Sequence, residues 1–169
     1  ENSLGRLTLG RDENPAYVLA QLPGDPWGTD TVAANDTIIK GRIGQQRYAN
    51  SIFYMGTFGG FTAGANYAEA SASNQSTGGA LDSSPYSLGL GYKNGGLQLG
   101  VGYENPPDND DYWSSAVASY NFGIVKLGGF FGTGKTNAAM RRESFVVSAT
   151  APLIGGEARL SVGQLKNKS

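Results

Sequence analysis

Tyr86-Ser87-Leu88-Gly89-Leu90-Gly91-Tyr92, the corner Lys93-Asn94-Gly95-Gly96, and Leu97-Gln98-Leu99-Gly100-Val101-Gly102-Tyr103 decide the fold. Phe61-Thr62-Ala63-Gly64-Ala65-Asn66-Tyr67, just upstream, repeats the pattern. Every second residue is aromatic or aliphatic, and those between are Gly, Ser, Thr, Asn or Gln, the period-two signature of a strand with one apolar face. The other face lacks the Lys, Glu and Thr that a water-soluble sandwich sets opposite its core. An apolar outside and a small, wet inside describe the wall of a transmembrane barrel.

Composition agrees. With 26 glycines and 39% hydrophobic residues in 169, the chain is long enough for one sizeable domain but unsuited to a helical bundle. No apolar run approaches the roughly 20 residues of a spanning helix, so a membrane reading has to be a β-barrel reading. Spanning strands escape hydropathy scales, and a mean hydropathy of -0.30 excludes little. Thirteen basic against 14 acidic residues leave no footprint for nucleic acid. With no cysteine and no histidine, disulfides, thiolate metal sites and the commonest general base are excluded. No catalytic constellation emerges, so no enzyme activity, cofactor or metal is expected.

Working outward, the alternation predicts nine strands: Leu4–Arg11, Arg47–Met55, Phe61–Ala68, 86–92, 97–103, Tyr112–Tyr120, Val125–Phe131, Ser144–Ala151 and Gly156–Leu165. In the second, Tyr48, Ile52 and Tyr54 are read as sharing a face. Tight corners at 56–60, 93–96, 121–124 and 152–156 alternate with longer polar excursions at 12–46, 69–84, 104–111 and 132–143. Short turns at one end and long loops at the other belong to an up-and-down barrel, and the tyrosines near strand ends suit its interfacial girdles. The expected fold is therefore an all-β antiparallel up-and-down meander, one partial barrel domain over 1–169, forming an open curved sheet. The competing reading is a soluble β-sandwich or carbohydrate-binding module.

Residues 12–46 are too long for an ordinary connection and so are functional. Asn14 caps a short helix with Pro15 at its first position, running through Ala16–Ala20 to Pro23-Gly24. The stripe Tyr17, Val18, Leu22 needs a surface to dock on.

Three motifs invite sharper readings. Gly129–Thr136 satisfies GxxxxGK[ST], but a phosphate loop requires a buried strand before it and a helix after it, and neither is here. The segment is read as an outer loop. Asp108-Asn109-Asp110-Asp111 lacks the ligand spacing of a calcium loop and reads as a solvated acidic turn. Asn35-Asp36-Thr37 and Asn74-Gln75-Ser76 match the glycosylation sequon by coincidence.

The ordered set Leu7-Thr8-Leu9-Gly10-Arg11, Arg47-Tyr48-Ala49-Asn50-Ser51-Ile52-Phe53-Tyr54, Phe58-Gly59-Gly60-Phe61 and Ala118-Ser119-Tyr120-Asn121-Phe122-Gly123 resembles the trimeric general porins of Gram-negative bacteria, of betaproteobacterial and neisserial type. The resemblance runs from Gly5 to about Leu165. It implies the fifth to thirteenth strands of a barrel of roughly sixteen, so the chain reads as a fragment of a longer protein. Residues 12–46 take the place of the loop that folds inward and narrows the pore. The resemblance further implies an outer-membrane location, lipid around the barrel, a homotrimer in the full-length parent, and passive diffusion of small hydrophilic solutes and ions. Arg47 stands where the family keeps a constriction arginine, and Lys40 and Arg42 extend that basic wall. The acidic side is expected from Asp25, Asp30 and Asp36, with Asp12 and Glu13 as further candidates.

Overall fold

The computed structural model describes residues 5–28, 31–74, 81–108, 111–136 and 140–168. Nine strands run in strict sequence order through one antiparallel sheet: β1 (Arg6–Glu13), β2 (Arg47–Phe58), β3 (Phe61–Ala68), β4 (Tyr86–Asn94), β5 (Leu97–Asn105), β6 (Tyr112–Asn121), β7 (Lys126–Lys135), β8 (Arg141–Leu153) and β9 (Gly156–Lys168). Each strand pairs only with its chain neighbours, so β1 and β9 are the edges of an open sheet.

Register makes the two faces chemically distinct. Across one run Leu7, Tyr54, Ala65, Leu88, Tyr103 and Ser114, and across another Leu90, Val101, Ala116, Phe131 and Phe145, with Leu127, Ala149 and Leu160 beyond. Most of these outward side chains stay exposed and the rest are half-buried: Val101 is 53% accessible in mid-strand. No second sheet covers them among the described residues. So large an uncovered apolar face is foreign to a soluble monomer, and the sandwich alternative fails on this point. Aromatic pairs border the band at both ends. Phe61 and Tyr92 lie 4.6 Å apart at the short-turn end, and Tyr103 lies 6.0 Å from Tyr86 and 6.2 Å from Tyr112 at the other. Tyr92 lies six positions after Tyr86, about 20 Å of strand, the scale of the girdled apolar band of a transmembrane barrel.

The opposite face carries Gly64, Gly89, Gly102, Ser115, Gly132 and Ser144 in one run across β3–β8. Two local readings change here. A bulge opposite Arg11 inserts Ala49 and Asn50, the latter at φ +49°, and turns Tyr48 onto the glycine face, away from Ile52 and Tyr54. The Gly129–Thr136 motif lies within β7 up to Lys135, paired residue by residue with β6 and β8, so it forms neither a phosphate loop nor an outer loop.

Candidate functional site

The long connection between β1 and β2 lies across the glycine face from β3 to β9. Its neck is closed by the Asn14 amide donating to the Gln46 carbonyl at 2.9 Å. Asn14 Oδ1 then accepts from the Tyr17 amide at 2.8 Å, capping a helical turn that continues as a π-turn over Tyr17–Gln21. That turn sits directly on glycine. A Cβ at Gly64 would stand 2.8 Å from Pro15 Cβ, and one at Gly102 would stand 2.9 Å from Ala16 Cβ. At Gly89 and Gly100 it would run into the Pro15 and Leu19 carbonyl oxygens. The glycine row is thus, in this stretch, a seat for backbone rather than open wet wall.

One buried carboxylate ties both ends of the loop to the sheet. Glu104, on β5 and fully buried, accepts from the Tyr48 hydroxyl at 2.7 Å, the Gln45 amide at 2.6 Å, Gln21 Nε2 at 3.1 Å and Asn14 Nδ2 at 3.4 Å. Asn74, also buried, bonds both Ala49 backbone groups and so holds the bulge that aims Tyr48 inward.

Farther along, Tyr17 and Ile39 pack with Val117, Phe130 and Val146 of β6–β8. The short helix α1 (Asp36–Ile39) is held from its C-terminal side: Trp113 Nε1 donates to the Ile39 carbonyl at 2.9 Å, and Arg142 Nη1 donates to the carbonyls of Gly41 and Arg42 at 3.1 and 2.9 Å. At the far edge Ser161 Oγ accepts from Trp27 Nε1 at 3.1 Å and Asn35 Nδ2 at 3.0 Å.

The charges expected at the pore distribute differently from a single arginine facing loop acids. Arg47 is ion-paired to Glu13 at 2.8 Å and alternates with the inward Tyr48, so it leaves β2 from the opposite side. Lys40 pairs with Asp36 at 2.6 Å within α1 and its cap. Asp25 is buried in its own turn, accepting from the amides of Trp27 at 3.0 Å and Asn35 at 2.9 Å. Arg42 is exposed at φ +55°. Asp12 pairs with Arg6 at 3.0 Å near the β1 edge. Asp30, and Asn109 and Asp110 of the acidic turn, lie outside the described residues. Of the sequons, Asn35 is engaged by Asp25 and Ser161, and Asn74 is buried in its clasp.

Sequence reasoning passed over Glu104, Trp113 and Arg142. The signal was present: extending Gln98, Gly100, Gly102 by one step reaches Glu104, and Trp113 is the one large aromatic on a strand face otherwise built from Ser115, Val117 and Ser119.

The sequence matches the Gram-negative porin family over residues 1–168. The chain belongs to that family. Among solved structures, the anion-selective porin from Comamonas acidovorans is 28% identical with a TM-score of 0.80, over 99% of this chain and 55% of that one. A second structure, titled as a porin refined at 1.8 Å resolution, shares the fold at a TM-score of 0.68 and 15% identity, over 100% of this chain and 64% of that one. The chain therefore spans a little over half of the porins it matches. No match was found among curated protein sequences.

Family membership puts this porin chain in the bacterial outer membrane. Val101→Arg, placing a cation in the middle of its exposed apolar face, is expected to cost about 2–4 kcal/mol in a bilayer, measured by urea unfolding from lipid vesicles. The same change on a water-facing strand would fall within about 0.5 kcal/mol.

Proposed function

We propose that this chain supplies part of the wall and the constriction loop of a general diffusion porin, a water-filled outer-membrane channel that passes small hydrophilic solutes and ions passively. In the whole protein the channel works as a homotrimer, as the family resemblance suggests. The observation that carries the reading is the seating of residues 14–28 and 31–46 across the inner face of a sheet whose outer face is apolar. A loop so placed narrows the lumen, and the side chains around it set which ions enter.

The related Comamonas protein is described as anion-selective, and the charges here favour the same sign. On the inner face Lys126 carries no ion pair among the described residues, whereas Asp36 is matched by Lys40, Glu157 by Arg159, and Asp25 and Glu104 are buried within hydrogen bonds to the loop. Arg42 on the loop, exposed and in no ion pair among the described residues, adds to the basic side, and Lys40 beside it is balanced by Asp36. Arg47, paired with Glu13 near the loop's neck, acts at the mouth rather than in the narrowest part.

Planar-bilayer recording of the full-length protein tests this. Stepwise, ohmic currents are expected, with a reversal potential of anionic sign in a KCl gradient. Lys126→Glu should move that potential toward cations, more at 0.1 M salt than at 1 M because the screening length falls from about 10 Å to about 3 Å. Arg47→Ala should move it less. Cation selectivity in the unmodified channel would defeat the charge assignment; the absence of any conductance step would defeat the channel.

A further inference from the structure

Where the loop tip meets β7–β9, a recess of about 230 Å³ opens on the inner face under Pro23 and Pro26, with Ser119, Ser148 and Thr150 among its walls. It is smaller than the roughly 300–1,000 Å³ of pockets for drug-sized ligands, which sets the scale of an occupant.

Two cations flank Thr150 across its ladders, Lys126 from β7 and Arg159 from β9. Lys126 is free of hydrogen bonds and ion pairs among the described residues. Arg159 gives Nε and Nη2 to Glu157 and Nη1 to the Pro26 carbonyl at 2.8 Å, which leaves part of its five-donor fork available. Its guanidinium carbon is 6.0 Å from the centroid of the Trp27 ring, which steadies the planar group beside the opening. Two acids also line the recess and are committed, Asp25 to backbone amides of the loop and Glu157 to Arg159.

The recess also holds an unanswered donor. Ser119 is 5% exposed, and its hydroxyl has no partner among the described residues although it lines the recess. Ser115 and Ser144 on the same face are left likewise, but of the three only Ser119 lines the recess. Its oxygen is almost fully covered, so a solute oxygen satisfies it once the recess wall gives slightly.

We propose that this recess is a resting site for small polyhydroxylated oxyanions in transit. The phosphate or carboxylate head lies between Lys126 and Arg159, and the solute hydroxyls reach Ser119, Ser148 and Thr150. The proposal rests on the channel reading above. Charge-assisted hydrogen bonds from two cations outbid water for the head, while the open side allows release, the balance that conduction requires.

Current block in the full-length protein tests it, with glycerol 3-phosphate as the probe and inorganic phosphate and glycerol as its two halves. Glycerol 3-phosphate is expected to interrupt the KCl current at about a tenfold lower concentration than inorganic phosphate, and glycerol to cause no block. Lys126→Gln should raise the blocking concentration of both anions about tenfold, the effect of losing one charge-assisted hydrogen bond. Ser119→Ala should abolish the advantage of glycerol 3-phosphate and leave phosphate block in place. Equal block by the two anions, or block indifferent to Lys126→Gln, would overturn the site. A channel that conducts but is never blocked refutes the site alone, whereas a protein without conductance steps refutes the site and the channel together.

Discussion

Glu104→Ala in the full-length porin is expected to cost about 3–5 kcal/mol and to free the loop at its neck. The carboxyl group is the common acceptor of Tyr48, Gln45, Gln21 and Asn14, and its removal leaves the Tyr48 hydroxyl, the Gln45 amide and Gln21 Nε2 without that acceptor, while Asn14 Nδ2 keeps the Gln45 carbonyl. Losing the shared acceptor of a buried polar network costs that much because several surviving donors stay desolvated and unpaired. Two measurements separate stability from function. The unfolding midpoint in urea should fall, and the single-channel current should become larger and noisier as residues 14–21 lift from their glycine seat. Glu104→Gln keeps an acceptor oxygen in the same volume and should lose about half as much. A quiet current of unchanged size in Glu104→Ala would show that the loop is held without this residue.

Trp113→Ala should be comparably damaging, at about 3–5 kcal/mol, through a different term. The indole is fully buried against Gly41, Gly132 and Gly134, where no side chain is present to collapse into the void. It also removes the donor to the Ile39 carbonyl. Trp113→Phe, which fills most of the space without the N–H, should cost only about 1 kcal/mol beyond repacking. Because Trp113 holds α1 while Glu104 holds the neck, protease accessibility around residues 36–43 should rise in Trp113→Ala and stay low in Glu104→Ala. Identical cleavage patterns would mean that the loop moves as one rigid piece.

The sheet was legible because its two faces differ in chemistry at every second residue. Phe61–Ala68 is bounded as the alternation predicts, and the hairpin from Tyr86 pairs Tyr92 with Leu99 across its corner. The edges were harder for a physical reason. β8 begins at Arg141 and β9 ends at Lys168, paired with each other, because the ladder continues past the apolar band into charged residues that look like loop. The same effect hid the end of β7, past Phe131, behind an apparent nucleotide motif: Gly132 and Gly134 are small because the Trp113 ring lies over them, not because a phosphate does.

The site was half legible. Asn14-Pro15 announced a capped helical turn, and that turn is present. That backbone covers the glycine face there was not legible, since such a face looks the same whether water or another backbone lies on it. Tyr48 was assigned outward because a bulge shifts the alternation by one residue and leaves only the left-handed Asn50 as a trace. Glu104 sat one step beyond the last apolar residue of its strand, where a carboxylate reads as loop. Partners such as Ile39 and Trp113 are 74 residues apart in sequence, and no local pattern couples them.

The central claim is that residues 14–46 narrow the lumen, and a loop-deletion channel tests it most directly. Asn14 and Gln46 are already joined by a 2.9 Å backbone hydrogen bond, so a short Gly-Ser linker can replace residues 17–43 without pulling β1 from β2. Single-channel conductance of that full-length variant in 1 M KCl should exceed that of the unmodified porin, with weaker ion preference. An equal or smaller conductance step would contradict the account, because it would mean that the loop does not obstruct the path of the ions.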